Sequence, residues 1–212
     1  MTDPAAGLDR PHVFLPAEPG APGPPLLLLH GTGADEHDLL PLRDHLSPGA
    51  AVLSPRGTVL EAGMPRFFRR LQEGVFDEQD LTRQAAHLAT FVATASEHYG
   101  IAVGSLVAVG FSNGANIASA LLMQHPAVVR GAVLLAAMIP YAAPTAAADL
   151  TGVGVVISNG RRDPMIPDAM TAELVRQFRG LGAEVVELPH AGGHQIDAAM
   201  LPVLAAIVSR WR

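Results

Sequence analysis

The 212-residue sequence contains no cysteine, and all fourteen of its basic residues are arginine. Without cysteine there is no disulfide, no thiolate metal ligand and no thiol nucleophile, and a reducing compartment is permitted. Without lysine there is no Schiff-base chemistry and no serine–lysine couple. The net charge of −6 repels a phosphate backbone, so nucleic acid is not an expected partner. The start of the chain, MTDPAAGLDRPH, lacks a basic segment followed by an apolar run and does not read as a signal peptide, which makes cytoplasm the expected location. Long apolar runs are scarce as well. The one stretch long enough to suggest a membrane span, Gly131 to Ala148, is interrupted by Pro140 and Pro144 and reads as a buried strand running into a loop.

What the chain does have is apolar material, at 49% of residues, enough for one domain over residues 1–212 to bury its own core. Pro16 to Pro25 is too rich in proline and glycine for a regular element and reads as a turn between the strands His12–Leu15 and Leu26–Leu29. Short apolar runs recur at Ala51–Leu53, Leu106–Val109, Ala132–Ala136, Val153–Ile157 and Val185–Leu188. Longer amphipathic stretches separate them, which predicts an α/β fold with a mostly parallel central sheet flanked by helices. The plainest helix is Glu78–Tyr99, with Leu81, Ala85, Leu88, Val92, Ala95 and Tyr99 at spacings of three and four, Asp77 as N-cap and Gly100 as stop. Further helices are expected over Ala115–Gln124, over Pro167–Leu181 with proline at the first position, and near Ile196–Trp211.

The chemistry is concentrated at Gly110-Phe111-Ser112-Asn113-Gly114, a G-x-S-x-G between a strand and a helix. Such a sharp turn presents Ser112 beyond the strand end and needs small residues two before and two after it. The helix starting behind Ser112 directs free N–H groups at a developing oxyanion. A nucleophilic serine of this kind is followed by an acid and then a histidine, each in a loop after a later strand. Asp163, in NGRRDP, and His194, in AGGH, meet both conditions. Asp168 is better explained as support for a helix start, and Asp149 precedes its strand instead of following it. His190 lies at a strand end, where packing is its ordinary role. His190 and His194 have metal-ligand spacing, but Gly192 and Gly193 oppose the helix that would bring both rings to one face, so no metal is expected.

A second oxyanion donor is expected from His30-Gly31-Thr32-Gly33, directly after Leu26–Leu29. The backbone N–H of Thr32, or alternatively that of Gly33, would join that of Asn113. His30 reads as structural, holding this loop. A dinucleotide site is not expected, because the third glycine of its fingerprint would fall on Glu36. No cofactor is needed.

Taken together, LLLLHGTGADEHDLLPL (Leu26–Leu42), SPRG (Ser54–Gly57), GMPRFFRRLQEGVFDEQDL (Gly63–Leu81), GFSNGAN (Gly110–Asn116), GRRDPMIP (Gly160–Pro167) and GGHQI (Gly192–Ile196) resemble the bacterial carboxylesterases of the phospholipase/carboxylesterase branch of α/β-hydrolases. These are relatives of acyl-protein thioesterases and dienelactone hydrolases. The resemblance spans nearly the whole chain. It implies a serine esterase with Ser112, Asp163 and His194 as triad, Thr32 and Asn113 as oxyanion donors, a small-molecule ester as substrate, and a homodimer as an allowed assembly. Acyl-protein thioesterases typically carry leucine where Thr32 stands and glutamine where Asn113 stands, which argues against protein depalmitoylation; the GMPRFFRR stretch is similar instead to bacterial esterases.

No insertion long enough for a helical lid separates Ser112 from Asp163, so an open site, without a membrane-lipid substrate, is expected. Phe67, Phe68, Met138, Ile139, Met165 and Ile166 fall in segments expected near the site and are candidates for an acyl pocket. Arg66, Arg69 and Arg70 read as a solvated face that an acidic substrate would meet.

Overall fold

A computed structural model describes residues 8–143 and 148–211. The first seven residues of the chain start and Pro144 of the uncharged stretch lie outside the described residues. The strands β1 (His12–Leu15), β2 (Leu26–Leu29), β3 (Val52–Pro55), β8 (Val107–Phe111), β9 (Gly131–Leu135), β10 (Gly154–Ser158) and β11 (Glu184–Glu187) form a seven-stranded sheet in the order β1-β3-β2-β8-β9-β10-β11. Only β1 runs antiparallel to its neighbour; the other pairings are parallel. Two small hairpins precede the first long helix: β4 (Val59–Glu61) with β5 (Met64–Arg66), and β6 (Arg70–Gln72) with β7 (Val75–Phe76).

Side chains on a strand alternate between its two faces, and here each face is covered. On β2, Leu27 and Leu29 enter one core while Leu26 and Leu28 enter the other. The first core is closed by α2 (Glu78–Tyr99), α3 (Asn113–Gln124) and α4 (Asp168–Gly180); the second is closed by α1 (Leu42–Leu46) and α5 (Leu201–Val208). All four leucines of β2 are wholly buried, each contributing about 1.5–3 kcal/mol by removal from water.

Helix α2 has the expected boundaries. Asp77 Oδ1 accepts the Asp80 N–H at 3.0 Å, and Gly100 ends the helix in the left-handed conformation at φ 69°. Asp77→Ala is expected to lower stability by about 1 kcal/mol, measured by urea titration.

Boundary differences have local causes. Helix α3 starts at Asn113, two residues before the expected Ala115, because the elbow itself enters the helix. Pro167 caps α4 from outside, and the C-terminal segment is a 3₁₀ turn (Ala198–Met200) leading into the shorter α5.

After β2 the chain moves to β3 on one side, and after α2 it returns as β8 on the other. The loops leaving the C-terminal ends of β2 and β8 therefore diverge, opening a crevice at the switch in strand order, where α/β sheets place their ligand sites. The loop at Gly31 and the turn at Ser112 flank that crevice.

Candidate active site

Ser112 sits between β8 and α3 with φ 53° and ψ −114°, a conformation that a residue bearing a Cβ adopts only when its surroundings enforce it. Those surroundings are visible. The Ser112 N–H donates to Leu135 O at 2.8 Å, and its carbonyl accepts the Asn116 N–H at 3.0 Å. Gly110 and Gly114 are required by contact: a Cβ on Gly110 would lie 2.3 Å from Gly114 O, and one on Gly114 would lie 1.9 Å from Leu29 O.

The loops after β10 and β11 bring Asp163 and His194 to this serine. His194 Nε2 lies 2.9 Å from Ser112 Oγ, and His194 Nδ1 lies 2.7 Å from Asp163 Oδ2. The Asp163 side chain is fully buried, and its Oδ1 accepts the Met165 N–H at 2.9 Å, so both oxygens are fixed. The two loops are tied by the Arg161 N–H to His190 O (2.8 Å) and the Arg162 N–H to Gly192 O (3.0 Å). Gly192 and Gly193 have ordinary backbone angles, so conformational freedom is not what they supply. Close packing accounts for Gly192, where a Cβ would meet His190 Nδ1 at 2.9 Å, and for Gly160, where one would meet the Gly192 and Gly193 carbonyls; at Gly193 a Cβ would make only an ordinary contact with Arg162 O at 3.5 Å.

His30 is buried and holds the loop after β2. Its Nδ1–H donates to Gly31 O (2.6 Å) and its Nε2 accepts the Gly57 N–H (2.9 Å), which selects the neutral ring. Burial pulls the His30 pKa below its ordinary value of 6.5, outweighing the opposing bond to Gly31. Between that folded-state value and 6.5 the unfolded chain binds more protons, so stability falls as pH drops through this window and is level above it. Urea titrations between pH 8 and 5 should show this loss in the native protein and a smaller one in His30→Gln; identical slopes would remove His30 as its source. Gly33 donates its N–H to Pro65 O at 3.0 Å, which takes it out of contention as an oxyanion donor. The Thr32 N–H has no acceptor among the described residues.

These groups open on a cavity of about 570 Å³. Met138 and Met165 line it, together with Phe76 and Phe111, which the sequence did not single out. Phe67 and Phe68 do not line it; both are fully buried in the core beneath the first sheet face, where the chain leaving β5 turns inward. Ile166, also buried, packs behind Met138 and Ala136, and Ile139 packs against the main core. The three arginines separate. Arg69 is exposed and pairs with Asp77 and Asp80, Arg70 donates to Glu61 and reaches the cavity, and Arg66 is buried in the cavity wall instead of lying on a solvated face.

The competing acids and base have other partners. Asp149 Oδ1 accepts from the Thr151 N–H and hydroxyl, Asp168 opens α4, and His190 is buried with Nδ1 on the Gly192 N–H. His190 and His194 do not face one another as metal ligands, because both nitrogens of His194 are engaged by Asp163 and Ser112. Asp35, Glu36 and His37 lie close together, but Arg56 already pairs with both carboxylates.

A parallel sheet wrapped by helices, with a strained serine, a histidine and a buried acid at its C-terminal crevice, is the α/β-hydrolase arrangement. The chain belongs to the phospholipase/carboxylesterase family, whose model matches residues 17–211, and is a hydrolase. It is 45% identical over 185 residues, 87% of this chain and 90% of the relative, to MhqD of Bacillus subtilis strain 168, a protein named as a hydrolase. The Bacillus cereus carboxylesterase superposes with a TM-score of 0.92 at 39% identity, covering 98% of this chain and 97% of that one. A carboxylesterase from Mesorhizobium loti superposes at 0.83 with 32% identity, covering 100% and 96%.

Proposed function

We propose that the protein is a serine carboxylesterase acting on short to medium soluble esters through an acyl-enzyme. The observation that carries this is the unbroken series Asp163 Oδ2, His194, Ser112 Oγ, at 2.7 and 2.9 Å, opening on a cavity beside the unengaged Thr32 N–H. In it, His194 Nε2 takes the Ser112 proton as Oγ attacks the ester carbonyl. The carbonyl oxygen gathers negative charge between the N–H groups of Thr32 and Asn113, the latter reinforced by the start of α3. Collapse expels the alcohol, which receives the proton from His194. Water, deprotonated by the same ring, then attacks the acyl carbon, and Ser112 leaves with the proton.

Hydrolysis of a p-nitrophenyl series from acetate to palmitate, with mass analysis after treatment with a serine-directed phosphonate, tests this. A peak at short to medium chains with one adduct on Ser112 is expected. Labelling of Ser112 without ester turnover would redirect the substrate to thioesters or lactones, and absence of both would leave a binding protein on this fold. Met138 and Met165 set the cavity's apolar wall, so Met165→Ala is expected to favour longer chains by about tenfold in kcat/KM ratio. An unmoved preference would place the acyl chain elsewhere.

A further inference from the structure

Three consecutive residues at the end of β5 reach both sides of Ser112. Pro65 O accepts the Gly33 N–H at 3.0 Å, Arg66 Nη1 donates to Thr32 Oγ1 at 2.7 Å, and the Phe67 N–H donates to Asn113 Oδ1 at 2.7 Å. The segment is thus bonded to the residues that carry both proposed oxyanion donors, one after β2 and the other at the start of α3. Its own position is fixed from behind. Gly57, whose N–H is held by His30, lies so close that a Cβ there would sit 2.3 Å from the Arg66 carbonyl carbon.

Arg66 is the unusual member of this clamp, because its side chain is only 4% exposed. A guanidinium taken that far from water must have its donors met by fixed partners. Besides Thr32, Nε donates to Phe68 O at 3.2 Å and faces Glu61 Oε2 at 3.1 Å, while the other Glu61 oxygen accepts from Arg70. Burial lowers the Arg66 pKa and Glu61 opposes that shift. A charged donor in a rigid planar fork gives a shorter, more directional bond than a neutral hydroxyl or water would. The Thr32 side chain is held accordingly.

We propose that Arg66 is a positioning residue of the oxyanion hole, fixing the Thr32 N–H through the Thr32 hydroxyl while Pro65 and Phe67 hold Gly33 and Asn113. This rests on Thr32 and Asn113 being the oxyanion donors. The cation stabilises the transition state through the loop it holds, and the ester in its ground state binds the same apolar wall with or without it. Loss of the Arg66–Thr32 bond therefore acts on kcat.

The test is a double-mutant cycle of Arg66→Met and Thr32→Val, with steady-state kinetics on a p-nitrophenyl ester over pH. Each single change is expected to lower kcat by about 10- to 100-fold, as misplacement of one donor does. KM should stay within about twofold of the native value and the pH profile should keep its limbs. The double variant should be within about twofold of the poorer single one, since both changes break the same bond. Arg66→Lys should recover part of kcat by returning a cation without the fork. Losses that multiply in the double variant, or that fall on KM, overturn the proposal. Thr32→Val leaves the buried charge and the backbone in place, so native kcat in that variant overturns it even if Arg66→Met fails to fold. Ser112→Ala run alongside separates the two levels: an inactive Ser112→Ala with a fully active Thr32→Val removes only the role of Arg66, whereas an active Ser112→Ala removes the esterase mechanism beneath it.

Discussion

Ser112→Ala is expected to lower kcat by roughly 10⁶-fold and Asp163→Asn by about 10⁴-fold, both with native melting behaviour. Alanine at 112 bears the same φ of 53° as serine and loses only the bond to His194, so the elbow should survive while the proposed nucleophile is gone. The asparagine effect follows from which atoms are already committed. Asp163 Oδ1 accepts the Met165 N–H and Oδ2 accepts from His194 Nδ1. An asparagine amide keeps its oxygen on Met165 and turns its NH₂ toward the ring, so Nδ1 must become the acceptor. The ring proton then moves to Nε2, which donates to Ser112 Oγ and cannot take its proton. Kinetics with melting curves on both variants decide the matter. Asp163→Asn within tenfold of the native kcat would mean that the carboxylate does not set the tautomer.

Much of this site was legible because its chemistry is local and its fold is periodic. Four leucines in a row, bounded by Pro24-Pro25 and Gly31, are too short for a helix and read as a strand covered on both faces, and G-x-S-x-G announces a turn whose contacts require glycine. The order of serine, acid and histidine then points to Asp163 and His194 among several rivals, and the structure brings these two side chains into line with Ser112. The hairpins β4–β5 and β6–β7 were not legible: Leu60 and Leu71 point into solvent at 70% and 72% exposure, and Pro65 stands inside a strand, so neither alternation nor composition marks them. That omission also concealed Arg66 and the fate of Phe67 and Phe68. An arginine in the same short segment as two further arginines reads as a surface residue until Glu61, Thr32 and the Phe68 carbonyl are brought to its guanidinium. The two phenylalanines read as pocket candidates because they fall in a segment expected near the site, yet the turn leaving β5 carries both into the core.

Gly114→Ala is expected to destabilise the fold by more than about 3 kcal/mol, lowering Tm by at least about 6 °C for a chain of this size. The new Cβ would stand 1.9 Å from Leu29 O, 2.4 Å from Leu29 C and 2.7 Å from His30 O. These are backbone atoms at the end of β2, which is paired on both sides and buried on both faces, so the clash cannot be relieved by a rotamer change. Helix α3 must lift from the sheet instead, carrying the Asn113 N–H away from the Thr32 loop, so kcat in the folded fraction should fall as well. Gly180→Ala provides the comparison within the same chain. It lies in α4 with ordinary backbone angles and nothing within 4 Å of its new Cβ, and should leave Tm unchanged or raise stability by about 0.5–1 kcal/mol. If the two variants melted together, close approach of the elbow to β2 would not be what requires glycine at 114. If they diverge as expected, the contact that packs α3 onto the sheet is also the one that sets the distance between the two proposed oxyanion donors.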